Sequence, residues 1–321
     1  MKIIALEEHF ILPREQQNLP PGALRGNDRE KLLGIETAAA LLDLGNDRLA
    51  AMDEAGIDVQ VLSQNQPGCQ ALDAAEAIAM ATEVNDLLVE TVRAHPGRFA
   101  ALAALPTADP AAAVRELERA VTRLGCKGAI INGLTRGSFL DEKRFWCIFE
   151  CAQSLDVPIY LHPSKPHPAV MNAYFAGYDE LASASWGFGV ETGLHFLRLV
   201  LAGVLDAFPK LTFVLGHLGE GLPFMLHRIN DHTQLAAIRR GLKRTVAEYV
   251  TQNLVVTCSG NFSAPALLCT VNALGIDSVL FSVDWPYESN IVGVEFLKRL
   301  PLAPPDLAKV AHANAERILK L

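Results

Sequence analysis

Residues 2–10, KIIALEEHF, form a short apolar run that ends in two glutamates and a histidine. A continuous apolar run of this length is typical of a strand that is buried on both faces in a parallel sheet. The polar end is unusual, because carboxylate and imidazole groups cost free energy on burial unless they are paired or bound. It therefore indicates a place where these groups have partners.

Seven further runs of the same kind follow, each separated from the next by a longer segment with helical periodicity. The eight runs are KIIALEEHF (2–10), VQVLSQN (59–65), FAALAALPT (99–107), GAIINGL (128–134), VPIYLHP (157–163), LTFVLGH (211–217), LVVTCSGN (254–261) and VLFSVDWP (279–286). Alternation of strands and helices indicates βαβ units. Eight such units predict an α/β fold of the (β/α)8 TIM barrel type.

The length of 321 residues is compatible with one barrel domain, because α/β barrels routinely exceed the length at which other folds split. We expect a single domain over 1–321, since no linker or internal repeat marks a boundary. Two βα loops are longer than the others, at 11–46 and 163–187. Long loops in compact domains are commonly functional, so we expect these two to be lid-like insertions.

Composition narrows the class of protein. The net charge of -8, without any basic run, argues against a nucleic-acid partner. Six cysteines without C-x-x-C pairs, no signal peptide and no apolar stretch of membrane-spanning length predict a cytoplasmic protein with no membrane partner. Nucleophile-elbow, P-loop and dinucleotide-binding motifs are absent from the sequence, so it gives no support to those chemistries.

Catalytic side chains of such barrels cluster at the C-terminal ends of the strands. Applied to the eight runs, this rule selects Glu7, His9, Asn65, Asn132, His162, His217 and Asp284. Strand alternation predicts that Glu7 and His9 point into the barrel mouth and that Glu8 points away. We expect Glu8 to be a solvated or ion-paired structural group, and the two asparagines to fix loops.

Four of the selected residues have the chemistry of metal ligands: Glu7, His9, His162 and Asp284. A mixed set of nitrogen and oxygen donors suits Zn²⁺ or Mn²⁺ better than Ca²⁺ or Mg²⁺. Each residue alone is more often structural, but their joint placement at one mouth favours a site for one divalent metal ion.

The segment LGHLGEGLPFMLHRI, residues 215–229, supplies a second set of candidates. Glu220 follows His217 by three residues and could accept a hydrogen bond from its imidazole, as in a general acid or base. The alternative for Glu220 is a position near a helix N-terminus in a glycine-rich turn. Arg228 could reach a substrate anion, although a surface or interface salt bridge is the more common role of an arginine. Six other histidines lie away from strand ends and are expected to be structural or solvated: His95, His167, His195, His227, His232 and His312.

Four motifs carry a resemblance to a known family: ALEEHF (5–10), YLHPSKP (160–166), LGHLGEGLPFMLHRI (215–229) and LFSVDWPYE (280–288). Together they resemble the amidohydrolase superfamily, and within it the metal-dependent nonoxidative decarboxylases of hydroxybenzoic acids. The first motif reads E-x-H, as in that branch, whereas hydrolytic members usually read H-x-H. The family motif has Arg-Asn where this sequence has Ser164-Lys165. This difference changes the expected contacts of the loop, and with them the ring substituents that the site would prefer.

The resemblance implies that Glu7, His9, His162 and Asp284 bind the metal and that His217 and Glu220 form a catalytic pair beside it. The implied reaction is loss of CO₂ from an ortho-hydroxybenzoic acid of the γ-resorcylate, salicylate or 2,3-dihydroxybenzoate type, leaving a phenol. Either Asp284 or His217 would protonate the ring carbon. The resemblance also implies a homodimer or homotetramer.

Two other functions stay open at this point. One is a metal-dependent hydrolase or hydratase on the same barrel, which fold alone does not exclude. The other is a non-enzymatic barrel that keeps the cluster as a stability element. We favour an enzyme, because an imidazole and carboxylate pair beside a filled metal site is more than stability needs.

Overall fold

The computed structural model describes residues 1–17 and 36–321. Within these ranges the strands are β1 (Ile4–Phe10), β2 (Val59–Gln64), β3 (Phe99–Ala101), β4 (Ala103–Ala104), β5 (Ala129–Asn132), β6 (Ile159–His162), β7 (Phe213–Leu215), β8 (Leu254–Thr257) and β9 (Val279–Leu280). β3 and β4 are two halves of the third predicted run, separated by Leu102. All eight predicted runs therefore contain strand residues, and the predicted α/β class is confirmed.

The strands pair in parallel and in chain order. Leu102 bridges the two halves of the third run, since its N–H donates to the Leu62 carbonyl at 3.0 Å while Ala103 N–H donates to Gly128 at 2.9 Å. β1 meets the segment just after β9 through a parallel bridge between Leu6 and Ser282. This connectivity is that of the expected (β/α)8 barrel.

Helices fill the intervals between the strands. They are α1 (Thr37–Leu42), α2 (Asn46–Ala55), α3 (Ala74–Ala94), α4 (Pro110–Arg119), α5 (Trp146–Leu155), α6 (Pro168–Tyr174), α7 (Gly187–Ala202), α8 (Val204–Ala207), the short turn α9 (His217–Glu220), α10 (Leu222–Arg239), α11 (Val246–Asn253), α12 (Ala264–Leu274), α13 (Asn290–Lys298), α14 (Pro304–Ala308) and α15 (Asn314–Leu319). None of the described helices is long and apolar enough to cross a membrane.

The start of α4 illustrates how local chemistry sets these boundaries. The Asp109 side chain accepts the Ala112 N–H at 3.0 Å, and Pro110 takes the first helical position, where its missing N–H costs nothing. The helix continues past Arg119 through a π-helical turn, Ala120–Leu124, and ends at Gly125, which has a φ of +85°.

The core has two layers. One lies inside the ring of strands and the other, larger one lies between the strands and the helices. The inner layer is built mainly by Ile4, Leu6, Val61, Ala100, Leu102, Ile130, Tyr160, Val214, Val255 and Leu280. Because both faces of the sheet are buried, side chains that point away from the barrel axis also lie in the interior of the protein.

Both of the predicted long βα loops contain helical segments. Residues 18–35 of the first insertion lie outside the described residues, while its described parts contain a 3₁₀ turn, Pro13–Gln17, and helix α1. The second, 163–187, contains α6 and a 3₁₀ turn at Asp179–Leu181. It leads directly from the end of β6 to α7.

Candidate metal centre and active site

The structure brings the four predicted ligands together. Glu7, His9, His162 and Asp284 each offer one donor atom, and these atoms all lie within 4.8 Å of one another. His162 Nε2 is 3.2 Å from Glu7 Oε1, and His9 Nε2 is 3.2 Å from Asp284 Oδ1. Glu7 and His9 are fully buried, so their polar atoms have no access to water.

The donor atoms of this cluster fit a bound cation. Glu7 Oε1 and His9 Nε2 are buried and have no hydrogen-bond partner of good geometry among the described residues. Buried polar atoms without partners are costly, and a metal ion between them would satisfy both. Two imidazoles and two carboxylates form the mixed donor set that suits Zn²⁺ or Mn²⁺. The arrangement is consistent with one divalent metal ion.

β1 reaches the cluster through an irregularity that simple strand alternation does not predict. The register between β1 and β2 shifts between Ala5 and Glu8, and Glu7 has a φ of +61°. This is a bulge, which re-aims side chains next to functional sites. Glu7 and His9 do reach the same cluster, as expected, but a strained residue in the strand contributes to that geometry.

Three hydroxyl groups orient Glu7. Its Oε2 atom accepts hydrogen bonds from Tyr160, Thr257 and Ser259, with Thr257 Oγ1 at 3.2 Å. The hydroxyls also contact one another, at 2.8 Å between Tyr160 and Thr257 and 2.6 Å between Thr257 and Ser259. With Oε2 occupied, Oε1 is the oxygen that faces the cluster. The sequence reasoning missed these residues; the only signal was the presence of hydroxyl side chains in apolar strands.

Ser63, on β2, was also missed. Its Oγ lies 3.3 Å from His9 Nδ1, which directs the other ring nitrogen, Nε2, toward Asp284. A partner on one imidazole nitrogen orients the ring and sets which nitrogen is free for a metal.

Glu8 corrects the expectation of a solvated group. It does point away from the cluster, but it is fully buried. Its oxygens accept from Val283 N at 3.0 Å, from Trp285 N at 3.3 Å and from Gln60 Nε2 at 3.2 Å. Burial raises the pKa of Glu8 to about 8, although the N–H groups of Val283 and Trp285 and the charge of Arg48 oppose that rise.

His217 and Glu220 form the predicted pair beside the cluster. His217 Nδ1 is 2.7 Å from Glu220 Oε1, and its Nε2 is 4.0 Å from Glu7 Oε1 and 3.8 Å from Asp284 Oδ2. Burial lowers the pKa of His217, but the carboxylates of Glu220 and Glu7 outweigh it and raise the pKa well above its ordinary value. The His217 side chain is 25% exposed, so it combines contact with the cluster and access to the barrel mouth.

The backbone of this pair is strained. His217, Leu218 and Glu220 have φ values of +50°, +60° and +55°, and Gly219 and Gly221 have +82° and +75°. Five consecutive left-handed residues make a turn that ordinary residues avoid, at roughly 1–2 kcal/mol for each non-glycine residue. The glycine-rich sequence allows part of this turn, and the predicted alternative, Glu220 simply at a helix N-terminus, does not account for its bond to His217.

The histidines of the site lower the pKa values of the two carboxyl groups in the cluster. Burial alone would raise the pKa of Glu7 and of Asp284, but the neighbouring histidines reverse this effect and lower both. Burial lowers the pKa of His162, against the opposing effect of Glu7. Ionised carboxylates and a neutral imidazole are the forms that bind cations.

The remaining predicted residues lie outside the cluster. Arg228 is exposed on α10 and makes no described contact with the four cluster residues. Asn65 accepts the Tyr287 hydroxyl at 3.1 Å, and Asn132 donates to the Gln64 carbonyl at 3.2 Å, so both hold loops as expected.

A cavity of about 430 Å³ lies beside the ends of β2, β5 and β6, and we call it the rim cavity. Its lining includes Asn132, Arg136, Ser164, Lys165 and His167. Ser164 is turned toward Gln66 Oε1 at 3.4 Å, whereas Lys165 is exposed.

Comparison with known proteins agrees with this geometry. A family model described as amidohydrolase matches residues 37–321. The γ-resorcylate decarboxylase of Polaromonas sp. strain JS666 is 38% identical over 328 residues, which cover 99% of this chain and 98% of that protein.

Two solved structures extend the similarity to three dimensions. A 2,6-dihydroxybenzoate decarboxylase in complex with 2,6-dihydroxybenzoate has a TM-score of 0.92 and 37% identity, and the match covers all of both chains. The dihydroxybenzoic acid decarboxylase of Polaromonas sp. JS666, with bound manganese and the inhibitor 2-nitroresorcinol, has a TM-score of 0.91 and 36% identity over 100% of this chain and 97% of that one. The chain therefore belongs to the amidohydrolase family, and over its full length it is similar to decarboxylases of dihydroxybenzoic acids, one of which has been solved with bound manganese.

Proposed function

We propose that this protein is a metal-dependent nonoxidative decarboxylase of an ortho-hydroxybenzoic acid, of the γ-resorcylate, salicylate or 2,3-dihydroxybenzoate type. The observation that carries the proposal is the Glu-His-His-Asp cluster with the His217–Glu220 pair at its edge, in a chain 37% identical over its whole length to a decarboxylase that binds 2,6-dihydroxybenzoate. The substrate is a small aromatic carboxylic acid, and the products are CO₂ and a phenol.

In this proposal Glu7, His9, His162 and Asp284 hold one divalent cation, Mn²⁺ or Zn²⁺. When bound, such a cation supplies positive charge beside the phenolate and carboxylate oxygens of the substrate. The catalytic residues are His217, Glu220 and Asp284. Glu220 fixes the imidazole of His217 through Nδ1, which leaves Nε2 to hold the proton that is delivered.

The reaction needs one proton and no redox partner. A proton from His217 Nε2, delivered directly or by way of the Asp284 carboxylate, adds to the ring carbon that bears the carboxylate. The bond between that carbon and the carboxylate then breaks, CO₂ leaves, and the bonding electrons restore the aromatic ring. His217 Nε2 and Asp284 Oδ2 are 3.8 Å apart, so either group can pass a proton to the same region.

The test is direct. Protein loaded with Mn²⁺ is incubated with 2,6-dihydroxybenzoate, salicylate and 2,3-dihydroxybenzoate, and CO₂ and phenol release are measured. We expect release from at least one acid, its loss on chelation and its return with Mn²⁺. Absence of release from every such acid, with cleavage of a lactone or amide or hydration of a double bond instead, would favour a hydrolase or hydratase.

We further propose that Arg228 binds the substrate anion. The guanidinium is exposed on α10, and no described residue forms an ion pair with it. An Arg228→Met variant should then raise KM with a smaller change in kcat. An unchanged KM would leave Arg228 as a surface residue.

The proposed assembly is a homodimer or homotetramer. Val190 and Leu194 are 51% and 49% exposed, and their spacing of four residues puts them on one side of α7; Trp186, just before the helix, is 65% exposed. Exposed apolar residues that share one side commonly mark interaction surfaces. Light scattering on the purified protein measures the mass, and a monomer would exclude this assembly.

We also propose a cytoplasmic location and a single domain over 1–321. All six cysteines are free thiols, as expected in a reducing compartment. The ends of the chain are joined, since Leu6 N–H donates to the Phe281 carbonyl at 3.2 Å and Lys2 Nζ lies 2.8 Å from Glu316 Oε1. Cell fractionation tests the first proposal. A single cooperative unfolding transition would support the second.

A further inference from the structure

Asp284 occupies a position that strand pairing does not hold. β9 ends at Leu280, and Asp284 follows it with a φ of +78°. A non-glycine residue in the left-handed region persists only when surrounding contacts fix it. The position of the Asp284 carboxylate in the cluster therefore depends on groups that hold the backbone around it.

Glu8 holds that backbone on both sides. One carboxylate oxygen accepts the N–H of Val283 at 3.0 Å, and the other accepts the N–H of Trp285 at 3.3 Å. These are the residues immediately before and after Asp284. The N–H of His9 also donates to the Trp285 carbonyl, at 2.7 Å. The end of β1 thus binds the Asp284 segment at three points.

Glu8 is itself fixed by two buried side chains. Gln60 Nε2 donates to Glu8 Oε2 at 3.2 Å, and Gln60 Oε1 accepts from Arg48 Nη1 at 3.3 Å. Arg48 also donates through Nη2 to the His9 carbonyl at 2.6 Å. Glu8 and Gln60 are fully buried and Arg48 is 1% exposed, so water does not compete for these hydrogen bonds.

We propose that Glu8 is a positioning residue for the metal centre, and that it holds the backbone of Asp284 in register with Glu7 and His9. The three residues Glu7-Glu8-His9 then have two functions: the outer two face the cation, and the middle one fixes the fourth ligand from behind. This inference rests on the ligand role proposed above for Asp284, but not on the identity of the substrate.

The test compares two buried glutamates. Glu8→Gln keeps the size of the side chain but turns one acceptor into a donor, which then faces backbone N–H groups. Glu116→Gln is the matched control, because Glu116 is 8% exposed, lies on α4 and pairs with Asn85 and Arg119. The dissociation constant for Mn²⁺ is measured by electron paramagnetic resonance, which distinguishes free from bound ion, and thermal unfolding is measured alongside.

We expect Glu8→Gln to weaken Mn²⁺ binding by about 10- to 100-fold, the range found for groups that orient metal ligands. Glu116→Gln should bind Mn²⁺ as the wild type does, although it unfolds at a lower temperature. Equal Mn²⁺ affinity in Glu8→Gln and wild type would overturn the inference. So would an equal loss in both variants, since that would reflect general destabilisation. If the wild type itself bound no Mn²⁺, the proposed function would fail as well. Failure of the proposed function is therefore distinguishable from failure of the positioning role, in which the wild type still binds Mn²⁺.

A second variant covers the case in which Glu8→Gln does not fold. Gln60→Leu leaves both backbone hydrogen bonds of Glu8 but removes the amide that orients its carboxylate. We expect a smaller loss, severalfold in Mn²⁺ affinity. Unchanged affinity in this variant would count against the positioning role.

Discussion

His195 provides a pH-sensitive test of the packing around α7. Its side chain is 2% exposed, and its Nε2 atom accepts the N–H of Leu140 at 3.0 Å. Protonation of Nε2 would place two donors against each other, so the folded protein holds this imidazole in its neutral form. Burial lowers the pKa of His195 from 6.5 to about 4.

The lowered pKa of His195 determines how much the free energy of unfolding depends on pH. Between pH 6.5 and 4 the unfolded chain binds a proton at His195 and the folded protein does not, so the free energy of unfolding rises with pH. The stability is fully present above about pH 6.5 and is lost as the pH falls toward 4. One pKa unit corresponds to about 1.4 kcal/mol, so the total loss is about 3 kcal/mol.

The assay is equilibrium unfolding in urea at several pH values between 4.5 and 7.5, with a chelator present so that metal release does not contribute. In a His195→Gln variant the introduced amide can still accept the Leu140 N–H but cannot be protonated. The difference in the free energy of unfolding between wild type and variant should therefore change by about 1.4 kcal/mol per pH unit below 6.5. His232→Gln, at an exposed position on α10, is the control and should track the wild type. Parallel curves for wild type and His195→Gln would refute the reasoning.

Three further predictions concern the metal centre. Tyr160→Phe removes one of the three hydroxyls that donate to Glu7 and should raise the Mn²⁺ dissociation constant about tenfold. The constant is measured by electron paramagnetic resonance, and an unchanged value would contradict the orienting role of Tyr160. Gly216→Ala adds a methyl group 2.9 Å from both carboxylate oxygens of Glu7 and should weaken Mn²⁺ binding in the same assay. Glu220→Gln removes the carboxylate on His217 and should lower kcat by at least about tenfold with unchanged Mn²⁺ affinity; loss of metal instead would place Glu220 in the metal site.

Much of the fold and the donor set could be predicted from local sequence pattern. The eight apolar runs are readable because a strand buried on both faces needs a continuous apolar sequence, and the intervening helices begin at recognisable caps such as Asp109. Glu7, His9 and His162 lie at or near the ends of such runs, where barrels collect their functional groups. The pairing of His217 with Glu220 could also be predicted, because the two residues are only three positions apart in the sequence.

The tertiary structure alone decided what surrounds those ligands. Tyr160, Thr257 and Ser259 lie far from Glu7 in sequence, and only barrel closure brings their hydroxyls to its carboxylate. Glu8 shows the physical limit most clearly. Strand alternation correctly directed it away from the cluster, but in a barrel covered by helices that direction leads into the protein and not to water. Its partners, the backbone N–H groups beside Asp284, carry no sequence signal, because every non-proline residue has one.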